Sequence, residues 1–237
     1  MLAMEGLVVG ERQAVGGLER VGRRLDHRIL CRTPGGMNIG VRQLHNEGSA
    51  QIGALAVVAG LAVGVLTSFG QRYLGGALDP LVNSASAWLV MPFVLGLVAR
   101  TPGGAAAAGL TCCLLQLVGY DLTAHLRGYG VSASREVFWA VCAVIGGPAF
   151  GAAGWLSRRG HGRLRGLGPA VLAAAFLAEG VWNYLHELHY YGSAALWIGI
   201  GLVLVALTLR ERRTALWLAV TLPAGLIAEI VLTRIYL

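Results

Sequence analysis

Residues 178–191 read AEGVWNYLHELHYY. The stretch starts inside an apolar run, 168–186, and ends at a polar boundary. Its first acid, Glu179, falls on what reads as a membrane-spanning helix. Trp182, Asn183 and His186 follow at spacings of three, four and seven, which place all four residues on one face of an α-helix. An acid at the centre of a spanning helix costs about 2.5–3.5 kcal/mol on insertion scales. A helix carrying one is therefore expected to aim it at a cavity or a partner, with the rest of the chain forming the walls.

Composition sets the class. The chain has 237 residues, 56% of them hydrophobic and 13% charged, a balance too apolar for a water-soluble domain. All 19 basic residues are Arg, and the net charge is +7. Cys31, Cys112, Cys113 and Cys142 have no metal-type spacing, and the adjacent pair sits in an apolar run, as buried thiols do. Residues 1–49 carry no apolar core long enough for a cleavable signal. They read as a basic cytoplasmic tail, either a disordered extension or an amphipathic helix using Leu18, Val21, Leu25 and Ile29.

Seven apolar runs follow, at about 51–70, 84–99, 104–124, 137–157, 168–186, 192–209 and 215–235, mostly of the roughly 17–25 residues that cross a bilayer. Pro92 is expected to kink the short second run, unless residues 80–83 extend it. With loops on alternating sides, the tail, Arg100, Arg158, Arg159, Arg163, Arg165, Arg210, Arg212 and Arg213 contribute fifteen Arg to one side, and Arg72, Arg127, Arg135 and Arg234 give four on the other. The positive-inside rule then puts the N-terminus in the cytoplasm and the C-terminus outside. The expected fold is an all-α integral membrane protein, a seven-transmembrane-helix bundle over 50–237 in the cell membrane. The same asymmetry accounts for the basic charge with no nucleic-acid partner. Small-residue stripes, Ala56/Gly60/Gly64/Ser68 and Gly147/Gly151, are expected to let helices approach closely.

The acids sort in the opposite sense. Asp79, Asp121, Glu136, Glu179, Glu187 and Glu229 fall in the outer half or the outer loops. Aromatics gather at that level, among them Trp88, Tyr120, Phe138, Trp139, Trp182 and Tyr184. Interfacial belts and solvated helix ends explain Tyr190, Tyr191, Asp79, Glu136 and Glu187 without a site. Glu179 and Glu229 lie deeper, and Asp121 is intermediate. These three are the candidate catalytic acids. Trp182, Asn183, Tyr184, His186, Trp139, Phe138, Trp88, Tyr120 and Asn83 are the candidate substrate-binding residues.

Several chemistries are absent from the sequence. It has no P-loop, no nucleophile elbow and no aspartate-rich diphosphate motif. His186 and His189, with His125 near in this topology, do not form HExxH, and neither metal nor cofactor is expected. What remains is acid chemistry. A carboxylic acid in an apolar pocket favours its neutral form and can protonate an alkene or epoxide. Aromatic faces then stabilise the cation, and exclusion of water protects it.

The pattern LTSFGQRYL…LDPLVNSASAW…GGPAFG, over residues 66–151, resembles the small bacterial integral-membrane terpene cyclases of indole-sesquiterpenoid pathways, the drimentine and xiamycin type. The resemblance implies a lipophilic prenylated substrate, initiation by protonation and no metal. A second reading, from a different class, is the substrate-binding membrane subunit of a small-molecule, vitamin-like importer. In that case the Ala56/Gly60/Gly64 stripe docks a transporter partner.

Overall fold

A computed structural model describes residues 36–130, 132–208 and 212–236. The chain divides into two units, Met1–Glu47 and Gly48–Leu237. The expectations for the tail, its amphipathic stripe and Cys31 fall on residues 1–35, outside those described.

All regular structure among the described residues is helical. We label the helices α1 (Gly36–Gly70), α2 (Ala85–Val98), α3 (Pro102–Leu126), α4 (Ala133–Arg159), α5 (Leu167–Glu179), α6 (Tyr191–Thr208) and α7 (Arg212–Tyr236). A π-helical segment, Gly180–Glu187, continues α5. Six helical stretches are long and apolar enough to cross a membrane, α1 by its Ala50–Gly70 portion. The bent pair Gly76–Asn83 and Ala85–Val98 makes a seventh if counted as one span. Apolar side chains face outward along these stretches, including Leu55, Val58, Ile145, Leu207, Leu216 and Ile235. This is the surface of a multi-pass membrane protein, whose solvent is lipid.

The sequence explains the breaks. Ser84 caps α2 by accepting the Ala87 N–H at 3.2 Å, and Thr101 caps α3 by accepting Gly104 N–H at 3.0 Å, with Pro102 in the first turn. Such caps satisfy amides that the helix start leaves bare. The second span bends by 51° at Ser84, not at Pro92, through which α2 runs unbroken. The chain enters α5 through Gly166 at φ +86°, where an added Cβ would also strike Thr214. Only glycine adopts that conformation readily.

Close helix approach rests on the small residues. Gly60 of α1 lies where a Cβ would come within 2.6 Å of the Cys112 carbonyl oxygen of α3, and Gly147 of α4 meets the Gly109 carbonyl of α3 in the same way. Ala56 and Ser68 are buried. Gly60 and Gly64 of the first stripe thus pack against α3.

Loops alternate between two ends. At the basic end, Arg159 donates to the Ala99 carbonyl, Arg213 donates to the Gly162 carbonyl, and Trp217 Nε1 donates to the Arg163 carbonyl at 2.9 Å. At the other end, called acidic here, Arg127 donates to the Ser68 carbonyl. Ser193 Oγ donates to the Gly76 carbonyl at 3.2 Å. A core of Phe93, Leu172, Phe176, Tyr184 and Trp197 joins α2, α5, the π-helical segment and α6.

Candidate functional site

The carboxyl of Glu179 is buried, 2% exposed, and touches the start of α2. Its Oε2 accepts from Ser84 Oγ at 2.7 Å, Ser86 Oγ at 2.5 Å and Ser86 N–H at 2.9 Å. Its Oε1 accepts from Ala85 N–H at 3.2 Å. Trp197 explains why the serine protons point this way. Its indole N–H can only donate, and it donates to Ser84 Oγ at 3.0 Å and Ser86 Oγ at 2.8 Å. Ser84 Oγ also receives the Ala87 amide. The hydroxyl protons are left for Glu179. The acid therefore acts as a second cap, supplied by α5, on the positive N-terminal end of α2. Four donors around two oxygens suit a carboxylate fixed in place.

Beyond Glu179 the helix widens. Leu188 N–H bonds to the Asn183 carbonyl at 2.9 Å, a five-residue spacing, as π winding requires. Trp182 and His186 keep to one face and stack, while the Glu179 carboxyl turns to α2. Tyr184, five residues on, turns inward beside Trp197. It is 2% exposed, packs edge-on to Trp197 at 6.0 Å, and its hydroxyl has no partner of good geometry. Trp182 turns towards α7, where its Nε1 donates to Thr233 Oγ1 at 3.1 Å. His186, 64% exposed at its side chain, stacks on Trp182 at 4.5 Å. Asn183 is half-buried. The segment ends at His189, whose φ of +56° reverses the chain into α6.

Of the other two candidate acids, the structure brings one to Glu179. Glu229 lies on the α7 face between Gly225, which meets Ala178, and Thr233, which meets Trp182. It is half-buried, on the stretch of α7 that those two contacts set against the end of α5 and the π-helical segment. Among the described residues its carboxyl has no hydrogen bond or ion pair. Asp121 lies elsewhere. Its charged neighbour is Glu136, and both line a shallow groove between α3 and α4 with Leu117, Val118 and Leu122. The single chamber expected for all three acids is therefore two places. The physical reason is that α3 packs its acid-bearing turn on α4, while α5 and α7 pack on each other.

Trp88 and Tyr120 meet edge-on at 6.0 Å, and Phe138 and Trp139 meet at 5.1 Å. Tyr120 and Asn83 belong to a polar chain. Tyr120 Oη donates to Gln71 Oε1 at 2.9 Å, Gln71 Nε2 donates to Asn83 Oδ1 at 2.6 Å, and Asn83 Nδ2 donates to Asp79 Oδ1 at 2.7 Å. This chain ties α1 and α3 to the turn before Ser84. Among the described residues, no three His, Cys, Asp or Glu side chains are placed to share a metal ion.

Ser84, Ser86, Trp197, Gln71 and Thr233 escaped the sequence reading. The pair in NSAS carried a usable signal, because a serine directly before an apolar helical run is a cap signature. The donor role of Trp197 had none.

Fold and site together define a multi-pass helical membrane protein with a bent helix pair clamped by a buried carboxylate. The chain belongs to a family of unknown function, DUF6518, whose profile matches residues 44–237. Among curated proteins and among solved structures, none matches it.

Proposed function

We propose that the protein is a membrane-bound, metal-independent terpene cyclase. It protonates an alkene or epoxide of a prenylated, indole-type substrate, and Glu229 is the donor. The observation that carries this reading is the carboxyl of Glu229, which sits inside a helix long and apolar enough to cross a membrane, without a hydrogen bond or ion pair among the described residues, one turn before Thr233, the residue that holds Trp182 of the Trp182–His186 stack. A group so placed keeps its proton free for transfer, and the adjacent rings offer π faces to a cation. Glu179 holds α2 and the π segment in register. Its neighbour Tyr184, with Trp182, shapes the wall.

The chemistry balances without a cofactor. A proton passes from Glu229 to the alkene or epoxide, and ring carbon–carbon bonds form as the cation migrates. A C–H proton then returns to a carboxylate, so cyclisation is a net isomerisation. The lipid bilayer supplies the substrate laterally. In this reading the bent pair is one span, which makes seven spans in the cell membrane. The N-terminus is cytoplasmic and the C-terminus extracytoplasmic, supported by the fifteen-to-four division of Arg.

The test is activity in membranes containing the full chain, supplied with a linear farnesylated indole. The reading expects a cyclised product from the wild type and none from Glu229→Gln. Asp121→Asn should retain activity, since its groove is separate. No product from the wild type, or wild-type turnover by Glu229→Gln, would sink it.

A further inference from the structure

Proline has no N–H, so Pro92, inside α2, leaves the carbonyl of Trp88, one turn earlier, without its helical donor. A side chain from another helix takes the vacant place. Gln116 Nε2, on α3, donates to the Trp88 carbonyl at 3.2 Å. A carbonyl only accepts, which fixes the end of the amide that faces it.

The surroundings of Gln116 set it apart from a packing residue. It is 0% exposed, and its Oε1 is buried with no hydrogen bond among the described residues. An apolar side chain of similar size would fill the same space and leave no bare buried acceptor, which is a costly group. What the glutamine adds is the donor. Its own backbone is held from behind, because a Cβ at Gly64 of α1 would strike the Gln116 carbonyl oxygen. One turn further along α3, Tyr120 meets the Trp88 ring edge-on at 6.0 Å. Gln116 and Tyr120 share a face of α3 and hold Trp88 by its carbonyl and by its ring.

A proline inside a helix ordinarily kinks it. Here the bend falls at Ser84 and α2 runs on through Pro92. The part of α2 before Pro92 is gripped at two levels, by Glu179 of α5 at Ser84 and Ser86 and by Gln116 of α3 at Trp88. We propose that Gln116 is a positioning residue that substitutes for the amide Pro92 lacks and so latches a proline hinge in α2. With the latch removed, residues 85–91 pivot at Pro92 and their hold on Glu179 loosens. The latch serves the fold whether or not the protein turns over a substrate.

The test is a double-mutant cycle on the full chain in nanodiscs, read by thermal unfolding. Gln116→Met keeps the length of the side chain and cannot donate, and Pro92→Ala gives Trp88 a backbone N–H again. In the wild-type background Gln116→Met should lower the melting temperature by about 2–6 °C, as expected for a buried carbonyl left bare in a unit of this size. In the Pro92→Ala background the same change should lower it by less than half as much, or raise it, because the donor is no longer needed and the bare Oε1 is gone. A fall of half or more in that background, or no fall in the wild type, overturns the proposal. Amide exchange supplies an arm that needs no Pro92 variant. Gln116→Met should speed exchange at residues 85–91 about threefold or more and leave residues 93–98 and α3 at wild-type rates. Protection lost evenly across α2 and α3 would make Gln116 a packing residue alone and would also overturn the latch.

Discussion

Replacing Glu179 with Ala is the sharpest probe of how this bundle is held. The change removes acceptors from Ser84 Oγ, Ser86 Oγ, Ser86 N–H and Ala85 N–H, all at the buried or half-buried start of α2. Hydrogen bonds to a charged acceptor contribute about 1.5–3 kcal/mol each, so four at the low end total about 6 kcal/mol. Part of this is recovered. The serine hydroxyls, 3.0 Å apart, can bond to each other, and Ser84 retains its own capping bond. The loss of a cap and of an anion at a helix N-terminus is not recovered, nor is the volume vacated beside Trp197. A net loss of about 3–5 kcal/mol results, similar to stripping one member from a buried charged network. At about 2–4 °C per kcal/mol for a unit of this size, the melting temperature should fall by roughly 6–20 °C. Glu179→Gln keeps one carbonyl oxygen for the Oε2 donors but turns an NH2 towards Ala85 N–H, so about half that loss is expected. The assay is thermal unfolding in detergent, followed by tryptophan fluorescence, with amide exchange at Ala85 and Ser86 as the local readout. A Glu179→Ala protein that melts within about 2 °C of wild type, with those amides still protected, would refute the capping argument.

Other expectations follow from the same geometry. Gly60→Leu should prevent assembly, since the first added carbon already meets the Cys112 carbonyl; monodisperse, wild-type elution on size exclusion would contradict close packing of α1 on α3. Trp182→Phe removes the bond to Thr233 and should cost about 1 kcal/mol, read as a small fall in melting temperature, whereas a loss several times larger would mean that the indole bears more than this contact. Tyr184→Phe deletes a hydroxyl with no hydrogen bond of good geometry among the described residues and should leave stability unchanged or raised, so a marked fall would mean that its neighbour Ser84 bonds it. Asp121→Asn and Glu179→Gln should combine additively within about 0.5 kcal/mol, because the two acids occupy different places, and stronger coupling in a double-mutant cycle would place them together.

The spans were legible because lipid imposes long apolar runs that composition alone exposes. Their ends carry local signals too, at Ser84, Thr101–Pro102 and Gly166, which the apolar runs alone did not use. The burial of Glu179 was readable from its depth in a run. Its partners were not, because they lie about 95 residues away and one of them, Ala85, contributes only its backbone. Along 179–186 the expected face holds in part. Trp182 and His186 stack on it, but the spacing rule assumes α winding and the chain changes to π winding at Gly180; Trp182 meets α7, and the Glu179 carboxyl turns to α2. Asp121 was misplaced because helix order gives the level of an acid but not the neighbour its face selects.

The central claim is that Glu229, on α7, delivers a proton to an apolar substrate. The direct measurement is cyclisation of the linear farnesylated indole by wild-type and Glu229→Gln membranes in deuterated water, with the product read by mass spectrometry. The account predicts a cyclised product carrying one solvent-derived deuterium on carbon from the wild type, and no product from Glu229→Gln. A product formed without carbon-bound deuterium, or one made equally by Glu229→Gln, would contradict it.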